Sequence, residues 1–124
     1  MDDQSGKHLL IVEDDDSMRS ILARLLKEYN IELAADGEHA LELLRTQHFD
    51  GLLLDLKLPD MDGIDILHKV RETGDTAGLP VIIVTARTDG DALLETASAN
   101  VLVLKPFAPA VLRSAVEIAT HIVQ

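Results

Sequence analysis

Acidic, hydroxyl and amine side chains stand directly behind short apolar runs in this sequence. Four consecutive acids, Glu13-Asp14-Asp15-Asp16, follow Leu9–Val12, and one acid, Asp55, follows Leu52–Leu54. Thr85 follows Val81–Val84, and Lys105, with Pro106 behind it, follows Val101–Leu104. Carboxylates from the first and second groups, brought together, repel unless a cation joins them or a proton is shared. Oxygen donors with few dedicated positions suit Mg2+, or Mn2+ in its place, which keeps waters and leaves room for phosphate oxygens. With an amine and a hydroxyl alongside, such a rim is built to hold a phosphoryl group on or next to a carboxylate. Each residue alone has a plainer reading: Asp55 as a turn cap, Lys105 as a surface lysine, Thr85 as a strand former. Their convergence favours a site.

Convergence requires strands that end at one rim. The four apolar runs are too short for helices and rich in Leu, Ile and Val, as in strands buried on both faces. Ile31–Ala35 is a weaker strand candidate, and its Glu32 suits a sheet edge. Between the runs the period changes. Met18, Ile21, Leu22, Leu25 and Leu26 form one helical stripe, as do Ala40, Leu43 and Leu44 behind the possible cap Asp36. Ile64, Leu67 and Val70 follow the cap Asp62, and Leu112, Ala115, Val116, Ala119 and Ile122 follow Pro109 near a first turn. Asp91–Ala99 reads as a shorter helix. Five β-α repeats imply an α/β fold with a parallel sheet, helices on both faces and right-handed crossovers. Ligands of such sheets bind outside the carboxyl ends of the strands.

Composition excludes other classes. The 124 residues suffice for one domain, and 11 basic against 22 acidic residues give a net charge of −11. Aromatic residues are only Tyr29, Phe49 and Phe107. A nucleic-acid binder needs a basic face and usually stacking rings, and an anionic membrane surface would repel the chain. There is no cysteine, hence no disulfide or thiolate site. The polar, acidic residues 1–7 are unlike a signal peptide and read as a tail before a domain over 8–124, which is expected to be cytoplasmic.

The segments Ile11-Val12-Glu13-Asp14-Asp15, Leu54 to Gly63, Val84-Thr85-Ala86-Arg87 and Lys105-Pro106-Phe107 resemble the receiver domain of bacterial two-component response regulators. The resemblance covers roughly residues 8–122 and implies a flavodoxin-like doubly wound (βα)5 sandwich with strand order 2-1-3-4-5. It implies Asp55 as phosphoacceptor, taking its phosphoryl group from a sensor histidine kinase or a histidine phosphotransfer protein. Glu13, Asp14, Asp55 and the Lys57 backbone carbonyl would hold Mg2+. Thr85, the Ala86 N–H and Lys105 would bind the phosphoryl group, and the domain would assist its own dephosphorylation. Its output would be an attached domain or an effector protein. Two departures stand out. Leu102 occupies the position where receivers carry Tyr or Phe, and the stretch from Thr85 to Lys105 is about two residues short.

A haloacid-dehalogenase-type phosphatase is the alternative, because Asp14-Asp15-Asp16 contains its Asp-x-Asp spacing. That reading leaves Asp55 without a role and the chain without room for a cap. A flavodoxin-like nucleotide binder needs a first loop that welcomes phosphate, which four acids would not, and there is no P-loop. Asp60-x-Asp62-Gly63 hints at a calcium loop, but Leu58 and Lys69 at the outer ligand positions reject an EF-hand. The five histidines show no ligand spacing.

Overall fold

The computed structural model describes residues 6–87 and 97–122. Strands and helices alternate along them: β1 His8–Val12, α1 Asp16–Leu25, β2 Asn30–Ala34, α2 Gly37–Thr46, β3 Gly51–Leu54, α3 Gly63–Glu72, β4 Val81–Thr85, β5 Val101–Leu104 and α4 Pro109–Ile122. The strands form one parallel sheet in the order β2-β1-β3-β4-β5. This is the flavodoxin-like arrangement. Most of the helix expected over Asp91–Ala99 falls outside the described residues.

The continuous apolar runs divide with period two between the faces of the sheet. Leu10, Val12, Leu52, Leu54, Val81 and Ile83 pack with Ala40 of α2 and Ile64, Leu67 and Val70 of α3. Leu9, Ile11, Leu53, Ile82, Val84 and Val103 pack with Leu22 and Leu26 at α1 and with Leu112 and Val116 of α4. Two cores therefore share one sheet.

Two expectations are corrected. β5 is not buried on both faces: Leu102 and Leu104 are 37% and 43% exposed, while Val103 between them is buried. It is an edge strand, with only its Val103 face packed into the α1/α4 core. Ile21 does not join the inward stripe of α1 and is exposed, because Met18, Leu22, Leu25 and Leu26 already fill the arc that faces the sheet. β2 forms the opposite edge, as its composition indicates, and leaves Leu33 exposed.

The helix starts are fixed by carboxylates. Asp15 caps α1 through the Ser17 and Met18 N–H groups, Asp36 caps α2 through His39, and Asp62 caps α3 through Ile64. Each satisfies backbone donors that a helix N-terminus leaves open. A cap also arrives from elsewhere in the fold. Asp60, in the loop between β3 and α3, accepts the Gly37 N–H at 2.8 Å and the Glu38 N–H at 2.9 Å, both at the start of α2. These two donors hold its exposed carboxyl below its ordinary value. Among the described residues no helix is long and apolar enough to cross a membrane.

The same loop returns tightly to the strand it leaves. The Gly63 N–H donates to the Leu56 carbonyl at 2.7 Å, and a Cβ on Gly63 would lie 2.5 Å from the Asp55 carbonyl oxygen. Backbone cannot yield as a flexible side chain can. Gly63→Ala is therefore expected to cost about 1–3 kcal/mol by overpacking, read as a lower midpoint in urea denaturation.

Candidate functional site

The order β2-β1-β3 reverses the direction of winding between β1 and β3, which opens a crevice at their carboxyl ends. Val12 pairs with Leu54 across these strands, so the next residues, Glu13 and Asp55, emerge side by side. The Asp55 N–H donates to the Val12 carbonyl at 3.1 Å and the Glu13 N–H to the Ala34 carbonyl at 3.0 Å. The sheet thus places two acids side by side and buried at its rim.

Lys105 reaches them from β5, across β4. Its backbone is pinned by an N–H donated to the Thr85 carbonyl at 2.9 Å. Its Nζ donates to Glu13 Oε1 at 2.7 Å and to Asp55 Oδ2 at 2.9 Å. The remaining oxygens of both acids are also used. Glu13 Oε2 accepts the Asp15 N–H and Asp55 Oδ1 the Lys57 N–H, each at 3.2 Å. Glu13 and Asp55 are buried, and the Lys105 side chain is only 18% exposed. Asp14 is exposed and supplies the third carboxylate: ligand oxygens of Glu13, Asp14 and Asp55 lie within 4.8 Å of one another.

Burial pushes the Glu13 carboxyl above its ordinary value and nearby Asp55 adds to this, while the Lys105 and Asp15 donors pull it back. Burial alone would lower the Lys105 ammonium, but its hydrogen bonds to Glu13 and Asp55 prevail and raise it. Charge remains unbalanced. Three carboxylates against one ammonium leave two negative charges in the fully ionised cluster, which one divalent cation would offset. An all-oxygen donor set at this spacing is compatible with Mg2+.

The structure brings together Glu13, Asp14, Asp55 and Lys105. Lys57 enters through its N–H to Asp55, and an isolated backbone bridge to Asp62 closes its loop. Thr85 is buried at the carboxyl end of β4, with its Oγ1 accepting the Arg87 N–H at 3.2 Å, and Ala86 beside it is exposed. The Lys105–Pro106 peptide is cis. Of the acid run, Asp15 is spent on the α1 cap and Asp16 pairs with Arg19.

Three supporting residues escaped sequence reading. Arg19 donates from α1 to the Glu13 carbonyl at 2.8 Å and to the Asp14 carbonyl at 3.4 Å, bracing the loop that carries both acids. Its spacing from Asp16 is a legible helical pair, but its reach to those carbonyls is not. Arg87 pairs with Asp62 at 3.1 Å and ties the segment after β4 to the start of α3. Asp60 clamps the loop after Asp55 to α2 across 23 residues, a separation at which no local pattern reports.

Residues 9–117 match the response regulator receiver domain family. The chain belongs to that family. It is 40% identical over 114 residues to the chemotaxis protein CheY of Pseudomonas aeruginosa, covering 88% of this chain and 92% of that one. Its fold is similar to the receiver domain of the sensor histidine kinase PA1611 from P. aeruginosa, solved with a magnesium ion in the active site cleft (TM-score 0.85, 28% identity, 94% and 98% covered). It is likewise similar to the response regulator TrrA of Thermotoga maritima in complex with Mg2+-BeF (TM-score 0.83, 27% identity, 91% and 98% covered). A receiver domain is a signal-transduction module of two-component phosphorelays, and histidine kinases or phosphotransfer proteins are its general class of partner.

Lys105 bonds two buried acids and balances the charge of one, so Lys105→Met is expected to lower stability by about 3 kcal/mol without divalent metal. Excess Mg2+ should recover part of that loss. Because the folded ammonium titrates above the ordinary lysine value of 10.5, its contribution is complete below that pH and fades as pH climbs through the raised value. The Tm gap between wild type and variant should therefore hold at neutral pH, close in strong alkali, and also shrink in acid as Glu13, raised by burial, takes up a proton.

Proposed function

We propose that this receiver domain takes a phosphoryl group onto Asp55 from a phosphohistidine of a sensor histidine kinase or histidine phosphotransfer protein. The observation that carries the reading is the Lys105 ammonium bonded to Asp55 Oδ2 and Glu13 Oε1, with Asp14 completing the carboxylate cluster. An amine held on a nucleophilic carboxylate is already where the oxygens of an arriving phosphoryl group need positive charge.

The step is an in-line displacement. An Asp55 carboxylate oxygen forms the bond to phosphorus, the phosphorus–nitrogen bond to imidazole breaks, and the departing nitrogen keeps the electron pair and takes a proton from solvent. Glu13, Asp14, Asp55 and the Lys57 carbonyl would hold Mg2+, which when bound offsets charge on the phosphoryl oxygens. Lys105 pairs with one phosphoryl oxygen, and the Thr85 hydroxyl and Ala86 N–H with others. Water later attacks the acyl phosphate in the same site, so the domain assists both its own phosphorylation and its dephosphorylation.

The Thr85 hydroxyl would donate to the phosphoryl group while its oxygen accepts the Arg87 N–H, so an inward move of Thr85 pulls on that segment. Moving that segment also disturbs the Arg87–Asp62 pair, giving phosphorylation a route to the surface after β4. The exposed Leu102 of β5 cannot provide an aromatic rotamer as a readout. Output to an attached domain or an effector must then use the backbone shift and the surrounding surface.

The phosphatase alternative is disfavoured by the positions of the acids. Asp15 caps α1 and Asp16 pairs with Arg19, so Asp14-Asp15-Asp16 does not present two carboxylates to one metal. Incubation with Mg2+ and acetyl phosphate, or with a phosphorylated kinase, is expected to add one labile phosphoryl group by intact mass. Asp55→Asn or chelation should abolish the adduct. An adduct retained by Asp55→Asn would remove the assignment, and bulk turnover of a small phosphomonoester would favour the phosphatase.

A further inference from the structure

The Asp60-x-Asp62-Gly63 motif has two caps in it rather than a calcium loop. Asp62 serves its own helix, α3, while Asp60 serves another, α2. Both Asp60 oxygens are committed, one to each of two consecutive N–H groups, at 2.8 and 2.9 Å. The next residue, Met61, lays its side chain over Gly37 so closely that a Cβ there would fall 2.4 Å from Met61 Cγ. The tip of the loop is therefore bonded and packed against the start of α2. Its base is closed by the Lys57–Asp62 bridge and by the Gly63 N–H on the Leu56 carbonyl. A loop closed at its base can still tilt as a unit, and a clamp at the tip sets that tilt.

Lys57 stands at the base of this loop, and its N–H already holds Asp55 Oδ1. We infer that Asp60 is a positioning residue of the metal site, clamping the β3–α3 loop to α2 and thereby fixing the segment from which the Lys57 carbonyl would meet the metal. The inference rests on the metal site proposed above. Asp60 itself contributes no ligand, since it lies outside the carboxylate cluster and spends both oxygens on α2. Its effect is geometric. Lys57 and Asp55 share a hydrogen bond, so a tilt of the loop moves a neutral donor oxygen and a charged one together. Supporting contacts of this kind govern how well a flexible set of oxygens closes on a small cation that demands near-ideal geometry.

The test is titration of the unphosphorylated chain with Mg2+ alone, followed through the backbone amide NMR signals of Asp55 and Lys57. Asp60→Ala is expected to weaken Mg2+ binding by about threefold to tenfold. Asp60→Asn keeps one acceptor oxygen and should fall between that variant and wild type. Asp36→Ala provides the comparison, because it removes the own cap of α2, the bond to the His39 N–H at 2.8 Å, without touching the loop. It should lower Tm comparably and leave the Mg2+ affinity at the wild-type value. Equal Mg2+ affinity in wild type and in both Asp60 variants would overturn the inference alone. So would a loss in Asp36→Ala as large as that in Asp60→Ala, since the effect would then be general to α2. A wild-type chain that takes up no Mg2+ would instead overturn the metal site and this inference with it.

Discussion

The Lys105 ammonium between Glu13 and Asp55 is the interaction around which the rim is organised. Two acids emerging side by side from adjacent strands repel one another unless a positive charge joins them. One amine bonded to both oxygens at 2.7 and 2.9 Å supplies it. The amine comes from β5, two strands from Asp55, so the cluster forms only when β3, β4 and β5 are in register. Folding of the sheet and assembly of the site are consequently one event. The amine also falls short by design of charge: it balances one acid fully and leaves the cluster in want of a cation.

Around that centre the two loops are braced in parallel ways. The loop after β1 is held by the Asp15 cap and by Arg19 on the Glu13 and Asp14 carbonyls. The loop after β3 is held by the Asp62 cap and by Asp60 on α2. In both, a capping carboxylate fixes where the helix begins, and a second charged side chain braces the loop, Arg19 from the helix that follows it and Asp60 against a different helix, α2. Part of the chain's acidity is thus committed to structure rather than spread over a solvated face. Asp15, Asp36, Asp60 and Asp62 satisfy helix N–H groups, and only Glu13, Asp14 and Asp55 form the cluster.

Most of the frame was legible in the sequence because its causes are local. Continuous apolar runs mark parallel strands, and the stripe of α3 and the caps Asp36 and Asp62 follow from spacing alone. The site was legible for a related reason. In a parallel sheet a strand's end and a residue's position at the rim are the same thing, so Glu13, Asp55, Thr85 and Lys105 could be placed on one side before any contact was known. What escaped was non-local. An apolar run does not say whether its strand lies inside the sheet or at its edge, which is why β5 was expected to be buried while Leu102 and Leu104 are exposed. Nor does a loop aspartate announce which of two helices it caps.

On the proposed reading, a phosphoryl group on Asp55 would add negative charge beside Glu13 and Asp14, so Lys105 and any bound metal would be shared among more oxygens than before. The loop after β3 is clamped by Asp60 and capped by Asp62, and the loop after β1 is braced by Arg19. The segment after β4 is tied to α3 through the Arg87–Asp62 pair, both members of which are partly exposed and therefore weak. On the proposed reading, movement of Thr85 at the end of β4 is felt first by the Arg87 N–H it accepts and by the Arg87–Asp62 pair. An aromatic rotamer is one way to amplify such a shift, but β4 itself pairs Ile83 with Leu102 and Thr85 with Leu104, and both leucines are exposed. The rim and that exposed edge are thus joined by one strand.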